Sequence, residues 1–426
     1  MSDTIYAVSS GQPPAAIAVI RVSGPGAVQA AARLAGEPPK PRMATLRALR
    51  DEEGRLLDRA LVLVFPGPNS ATGEDLVELH CHGGRAVVAA VEAALGKVDG
   101  LRRAGAGEFT RRALANGRID LAEAEGLADL LAAETEAQRV AALQAAEGRI
   151  SRAVQGWLAR VALLSARVEA SLDYADEDDV AADEGELDAI TREAVALGQE
   201  IGAAAEAAPV ERLYEGVRVV LAGPPNSGKS TLLNLLAERD AAIVSPVAGT
   251  TRDRVEAGVR RGGRTWLLTD TAGLTKTADP VEAIGVERAR EALVAADLLV
   301  WLGDDPPPRE DAIWLHARAD VEGRREMPSG LALSVARDDQ ESVDDLWTLL
   351  ERRSADLLPA ADALPLKRGQ RDACATASSA LLQGSGDALI LAEQLRVART
   401  ALASITGANA TETMLDALFS RFCVGK

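Results

Sequence analysis

The chain has 426 residues, a formal net charge of −17 and only 3% aromatic residues. That length implies two to four domains with ample core, and so acidic a balance excludes a protein coated in nucleic-acid phosphate contacts. Cys81, Cys374 and Cys423 are odd in number and widely spaced, as expected of a reduced cytoplasmic protein. No apolar run is long enough for a bilayer, and the N-terminal IAVI stretch is cut short by Arg21, so neither membrane span nor signal peptide is expected.

In chain order, residues 1–117 read as an α+β domain with a mixed sheet. Strand-like runs (TIYAVS, AIAVIRVSG, MATLRAL, RALVLVF, DLVELHCH) alternate with glycine or proline turns and one clear helix, Ala86 to Leu95. His80, Cys81 and His82 invite a metal reading, since alternate residues on a strand face the same side. No third and fourth ligand lies at a recognised spacing, so a strand end before the Gly83-Gly84 turn is the plainer account.

Residues 118–212 form the first part of a helical domain. From Leu121 to Leu172 the chain reads as helix almost throughout, with Ile150, Val154, Trp157, Val161, Leu164, Val168 and Leu172 making one apolar stripe. The acidic run Asp173 to Asp188 reads as a solvated turn before a helix reaching about Ala208. Residues 213–352 carry the nucleotide motifs. From 353 to 426 a second stripe appears, Leu391, Leu395, Ala398, Leu402 and Ile405, followed by the amphipathic ETMLDALF and the tail FCVGK. Single stripes must be buried against something. The helical segments on either side of the nucleotide domain are therefore expected to pack together, with that domain inserted between them.

Val217 to Thr231, VRVVLAGPPNSGKST, is a short buried strand, the pattern Gly223-x-x-x-x-Gly228-Lys229-Ser230, and the start of an amphipathic helix. Backbone N–H groups of Asn226 to Thr231 can cradle phosphates, assisted by the helix N-terminus. Lys229 is placed to bridge β- and γ-phosphates, and the Ser230 hydroxyl to ligate Mg²⁺. Further on, GTTRD supplies Thr250 and Thr251, the latter able to close over the γ-phosphate and Mg²⁺. RTWLLTD is a strand that ends in Asp270-Thr271-Ala272-Gly273, where a carboxylate can hold a metal-bound water and the Gly273 N–H can sense the γ-phosphate. The three boxes in order resemble those of translation-factor-class GTPases, and the expected fold is a Ras-like P-loop domain. The base-reading box is degenerate: Ala317-Arg318-Ala319-Asp320 keeps the aspartate for guanine N1 and N2, replaces lysine by Arg318 and lacks the asparagine. One lost neutral hydrogen bond costs about 1 kcal/mol, which loosens guanine binding without abolishing it. The fifth box is expected near Ser334.

Asn226 in the P-loop, GTTRD, DTAG, Glu282 in PVEAIGVERA and the terminal FCVGK together resemble the MnmE/TrmE family of tRNA-modification GTPases. IAVIRVSGP, GEDLVELHCHGG and GEFTRRALANGRIDLAEAEGLADL extend the resemblance over essentially the whole chain. It implies a folate-binding N-terminal domain that dimerises, and a helical domain split by the G domain. It also implies an FAD-dependent partner, MnmG (GidA), in a heterotetramer that acts on tRNA. The activity implied is GTP hydrolysis coupled to addition of an aminomethyl or carboxymethylaminomethyl group to the wobble uridine, with a tetrahydrofolate derivative as one-carbon donor. On that resemblance Arg21, Glu78, Arg118 and Lys426 contact folate; Arg118 stands where lysine is common, keeping charge but not donor geometry. Leu274 occupies the place of the water-positioning glutamine of small GTPases. The resemblance supplies K⁺ instead, held by Asn226, Ser245, Val247 and Thr250, and Glu282 as the group that orients the attacking water. Without it, Glu282 would read as a helix N-terminal carboxylate. Cys423 has either a direct chemical role or a small-residue packing role. A ribosome-assembly or regulatory GTPase that binds RNA without modifying it is the competing reading. The surviving Asp320 predicts that GTP displaces bound fluorescent GDP far more effectively than ATP does; equal displacement by the two would reverse the guanine assignment.

Overall fold

Alternation of apolar and polar residues builds the first of two sheets. Its strands are β1 (Thr4–Val8), β2 (Ile17–Ser23), β3 (Thr45–Arg50), β4 (Leu56–Phe65), β5 (Leu76–His82) and β6 (Leu101–Arg103), in the order β3-β4-β5-β2-β1-β6. All neighbours are antiparallel except β1 and β6. The computed structural model describes residues 3–175, 184–237, 256–271, 293–319, 321–322, 333–335, 339–360, 362–408 and 410–425. One sheet face, including Ile20, Val22, Val62, Val64, Val77, Leu79 and Cys81, is buried with the helices Ala27–Ala35 and Arg85–Leu95. The first of these helices is additional to the one read from the sequence. Its apolar face is mostly alanine (Ala27, Ala30, Ala31, Leu34), at the spacing of one helical side. On the opposite sheet face Ile5 and Ala7 pack with Ala104 and Phe109, whereas Ile17, Leu46 and Leu61 are exposed.

The stretch expected to be helical almost throughout is three helices, Leu121–Ala132, Glu136–Ala146 and Arg149–Ala175. The first break is a side-chain cap: Gln138 Oε1 accepts from the N–H groups of Glu134 and Thr135. The second is Gly148, whose φ of 79° lies in the left-handed region. The stripe from Ile150 to Val168 is buried. Of the acidic run read as a turn, residues 173–175 end helix Arg149–Ala175 and residues 184–188 open helix Glu184–Glu206, so both its ends are helical; residues 176–183 lie outside the described residues.

The chain's last helix, Glu412–Phe419, joins Leu121 and Ala124 in one apolar cluster through Leu418, Phe419 and Phe422. Beyond it the tail reaches the first sheet. Val424 forms an isolated antiparallel bridge with Ala106, and the Ser9 hydroxyl donates to the Gly425 carbonyl at 2.7 Å. Gly425 has a φ of 97°, and a Cβ there would stand 2.0 Å from the Val8 carbonyl oxygen, so only glycine fits.

Helices Glu184–Glu206 and Arg368–Leu382 pack closely because glycines face the contact. A Cβ on Gly198 would lie 3.0 Å from that of Leu381, and the Ser378 hydroxyl donates to the Gly198 carbonyl at 2.7 Å. In helix Ala388–Ile405 the stripe Leu391, Leu395, Ala398, Leu402 and Ile405 is buried.

The second sheet contains β7 (Val217–Ala222), β8 (Glu256–Arg261), β9 (Arg264–Asp270), β10 (Leu298–Trp301), β11 (Ile313–Ala317) and β12 (Leu333–Val335), in the order β12-β11-β10-β7-β9-β8. Only the β8–β9 pair is antiparallel, joined at Gly262-Gly263 with both φ values positive. Trp266 and Trp347 meet edge to face at 5.3 Å in its core.

Contacts divide the chain into two compact units: Met1–Leu131 with Ala145–Arg160 and Arg399–Lys426, and Ala132–Gln144 with Val161–Ala398. Among the described residues no helix is long and apolar enough to cross a membrane. Within the first unit, a Cβ on Gly126 would sit 2.5 Å from the Ala146 backbone nitrogen. Gly126→Ala gains about 1 kcal/mol of helix propensity, but overpacking against rigid backbone costs about 1–3 kcal/mol or more. A net loss of stability is expected in urea denaturation; a more stable variant would show that the helices can separate freely.

Candidate functional site

Strand β7 is buried on both faces. Val217, Val219 and Leu221 belong to one core cluster, and Val220 and Ala222 to another. The loop that follows leaves the carboxyl end of this central strand, where open α/β sheets bind ligands. Gly223 has a φ of 152°, and a Cβ on it would lie 3.0 Å from the Ser227 Oγ and 3.2 Å from the Leu302 carbonyl carbon. The loop ends at Gly228, with a φ of 99°, and helix Lys229–Ala237 begins.

Lys229 is 5% exposed, and its Nζ donates to the carbonyls of Gly223 at 2.9 Å and Pro224 at 2.7 Å. Burial pushes the Lys229 pKa down, against the pull of the Asp270 carboxylate. The ammonium is thus folded onto its own loop, at the point where phosphate oxygens would otherwise be its partners. The Ser227 Oγ is buried and has no hydrogen-bond partner among the described residues, an orphan that a phosphate oxygen would satisfy. The Ser230 hydroxyl donates to Asp270 Oδ2 at 2.5 Å. Two hard oxygen donors, one from the helix start and one from the end of β9, therefore converge as a Mg²⁺ site requires. Thr271 turns its hydroxyl to the Leu221 carbonyl at 3.0 Å, tying β9 to β7, and Thr231 is exposed on the helix.

The degenerate base box is partly placed. Ala317 ends β11, and Arg318 follows with a φ of 63°. Its Nη1 donates to the Asn226 carbonyl at 2.9 Å, and a Cβ on Gly228 would lie 3.3 Å from its Cγ. Arg318 thus lies across the phosphate loop and braces Asn226, itself at a φ of 63°. Ser334 falls on β12 opposite His316. Ser245, Val247, Thr250, Thr251, Ala272, Gly273, Leu274, Glu282, Asp320 and Lys426 lie outside the described residues.

A second group of charged residues stands on the first sheet, on the face opposite its main core. Register aligns Leu63, Glu78, Arg21 and Ala7 in one row, and Leu46, Leu61, His80 and Val19 in the next. Arg21 Nε donates to Glu78 Oε1 at 2.9 Å, and His80 Nε2 meets Glu78 Oε2 at 3.0 Å. Burial alone would raise the Glu78 pKa; the hydrogen bonds with His80 and Arg21 outweigh it and hold the carboxyl below its usual range. His82, at the strand end, pairs with Asp58 instead, its Nδ1 2.7 Å from Oδ1. Arg118 is exposed, and a Cβ on Gly73 would lie 3.1 Å from its Cγ. The tail approaches the row of His80: Ser9, which holds Gly425, donates its N–H to the Val19 carbonyl at 2.7 Å. Cys423 is exposed. Arg21 and Glu78 are thus brought together, and Arg118 stands on the Gly73 turn. The His80 contact was missed from sequence, although the i, i+2 spacing of Glu78 and His80 on a strand is its signal.

Residues 4–118 match the family model of the GTP-binding protein TrmE N-terminus, and residues 121–423 that of the MnmE helical domain. The chain is 54% identical to the tRNA modification GTPase MnmE of Rhizorhabdus wittichii, over 100% of this chain and 97% of that relative. It is 52% identical to the protein of that name from Erythrobacter litoralis, over 100% of both chains. A third, from Sphingopyxis alaskensis, is 51% identical over 96% of this chain and 100% of its own. Lys229→Ala removes a charged donor whose hydrogen bonds are worth about 1.5–3 kcal/mol, so fluorescent-GTP titration should show an affinity about ten- to a hundredfold lower. Undiminished affinity would mean that the ammonium never leaves Gly223 and Pro224.

Proposed function

The chain belongs to the MnmE family of tRNA modification GTPases, and we propose on that premise that it hydrolyses GTP to drive modification of the wobble uridine of tRNA. The observation that carries the GTPase reading is the convergence of Lys229, the orphaned Ser227 hydroxyl and the Ser230–Asp270 pair on one glycine loop. Lys229 exchanges two loop carbonyls for β- and γ-phosphate oxygens when nucleotide enters. Ser230 and Asp270 would hold Mg²⁺ and its water, and Thr251 would close the site from the GTT loop. Asn226 with Ser245, Val247 and Thr250 would hold K⁺, and Glu282 would orient the attacking water because Leu274 has no group to do so. The bound cations supply the positive charge that phosphoryl transfer demands, and a reduced folate supplies the one-carbon unit.

Guanine is held by Asp320, with Arg318 bracing the phosphate loop in place of lysine. Residues 1–117 form the folate-binding, dimerising domain. Support for folate comes from the paired Arg21 and Glu78, with Arg118 on the same domain. The exposed Ile17, Leu46 and Leu61 on the uncovered sheet face support the pairing of two copies. The G domain, 213–352, interrupts a helical domain made of 118–212 and 353–426. The packing of helix Glu184–Glu206 on helix Arg368–Leu382 supports that division. The dimer works in the cytoplasm, where its tRNA substrate is, with an FAD-dependent partner that completes the modification.

Charge stabilisation at a phosphoryl transition state is worth several kcal/mol, so K⁺ should raise GTP turnover about tenfold or more over Na⁺. Asn226→Ala should remove that difference while GDP still binds; equal rates in the two salts would overturn the cation assignment. In cells lacking the protein, mass spectrometry of tRNA nucleosides should show loss of the C5-substituted wobble uridines. Unchanged nucleosides would favour a GTPase that binds RNA without modifying it.

A further inference from the structure

We infer that His80 is a positioning residue: it fixes the plane of the Glu78 carboxylate so that Glu78 accepts the paired N–H donors of a planar heterocycle, the pterin end of a reduced folate. This deepens the folate reading above and rests on it. Glu78 and His80 stand two residues apart on β5, on the face away from the core of Val77, Leu79 and Cys81. The carboxylate is held at both oxygens by different elements, Oε1 by Arg21 of β2 at 2.9 Å and Oε2 by His80 of β5 at 3.0 Å. A glutamate anchored at one oxygen still turns about its terminal torsion, which is broad and soft. Anchoring both oxygens removes that freedom before a ligand arrives.

A carboxylate offers about four lone-pair directions. Arg21 and His80 engage one direction on each oxygen, which leaves each oxygen able to accept again within a plane they hold fixed. That pattern complements two adjacent N–H groups on one ring edge, as in a 2-amino-4-oxo-pteridine. His80 acts as the donor when Nε2 carries the proton. Its neighbours along the row, Leu61 on β4 and Val19 on β2, give the ring an apolar surface on which to lie. His82, on the same strand face, shows the contrast. It gives both its backbone N–H and its Nδ1 to the two oxygens of Asp58, and so closes off that carboxylate as a strand-end clamp.

The test is calorimetric titration of the full-length protein with 5-formyltetrahydrofolate, alongside His80→Leu, His80→Gln, His80→Asn and Glu78→Gln. His80→Leu should weaken binding about tenfold by removing one hydrogen bond to a charged group. His80→Gln, whose amide nitrogen reaches about as far as Nε2, should restore affinity, and the shorter His80→Asn should not. If His80→Leu fails to fold, the contrast between Gln and Asn decides the matter. Equal affinity of the Gln and Asn variants, or an unimpaired His80→Leu beside an impaired Glu78→Gln, would overturn the role of His80. Wild-type protein that takes up no folate would instead overturn the folate reading and His80 with it, whereas a Glu78→Gln variant that binds folate normally would overturn the roles of Glu78 and His80 alone.

Discussion

A strand buried on both faces cannot slide or tilt without opening two cores at once. β7 is such a strand, with Val219 and Leu221 in one cluster and Val220 and Ala222 in another. The phosphate loop is therefore suspended from a strand that two cores hold in place. Its own shape follows from two glycines whose backbone angles a side chain would strain, and from Arg318 lying across it. Everything the nucleotide site does chemically presupposes that this loop is already formed when ligand arrives. The contacts that hold it without ligand, Lys229 on two carbonyls and Ser230 on Asp270, involve the same atoms that phosphate and metal would claim.

The N-terminal sheet solves a different problem. One face is sealed by two helices; on the other, Phe109 covers β1 while Thr72 and Glu74 bond the buried Ser23 of β2. Polar and charged groups there pair with one another in fixed geometry while staying partly open to solvent. Arg21, Glu78 and His80 form one such set; Arg112 with Asp3, Glu74 and Glu108 forms another. The second set locks a helix and a loop to the strand ends and has its donors matched to acceptors. The first keeps lone pairs in reserve. That difference separates a structural network from a receptive one.

What could be read from sequence followed the range of the interactions. The P-loop was legible because strand, glycines, lysine and helix are adjacent in the chain, and local rules suffice. The β8–β9 hairpin was open to the same reading through Gly262-Gly263. Helix Ala27–Ala35 escaped notice because alanine buries well yet gives a weak hydrophobic signal. The breaks near Thr135 and Gly148 were hidden inside an otherwise continuous helical pattern, where one side-chain cap and one positive φ decide the outcome. Contacts set by register were out of reach. That His80 stands beside Leu61 and Val19, or that Gly425 meets Ser9, depends on pairings between segments far apart in the chain.

The bond between Ser9 and Gly425 joins residues 416 positions apart. During synthesis the first sheet leaves the ribosome long before its last companion, and the Ala106–Val424 bridge forms only once Val424 has followed it. The N-terminal sheet is thus completed by a segment made about 300 residues after its last strand, so a product truncated before Val424 would carry an incomplete copy of it. An insertion beside Val424 or Gly425 would place the junction against that same sheet, whereas an insertion at an outer loop would leave it untouched.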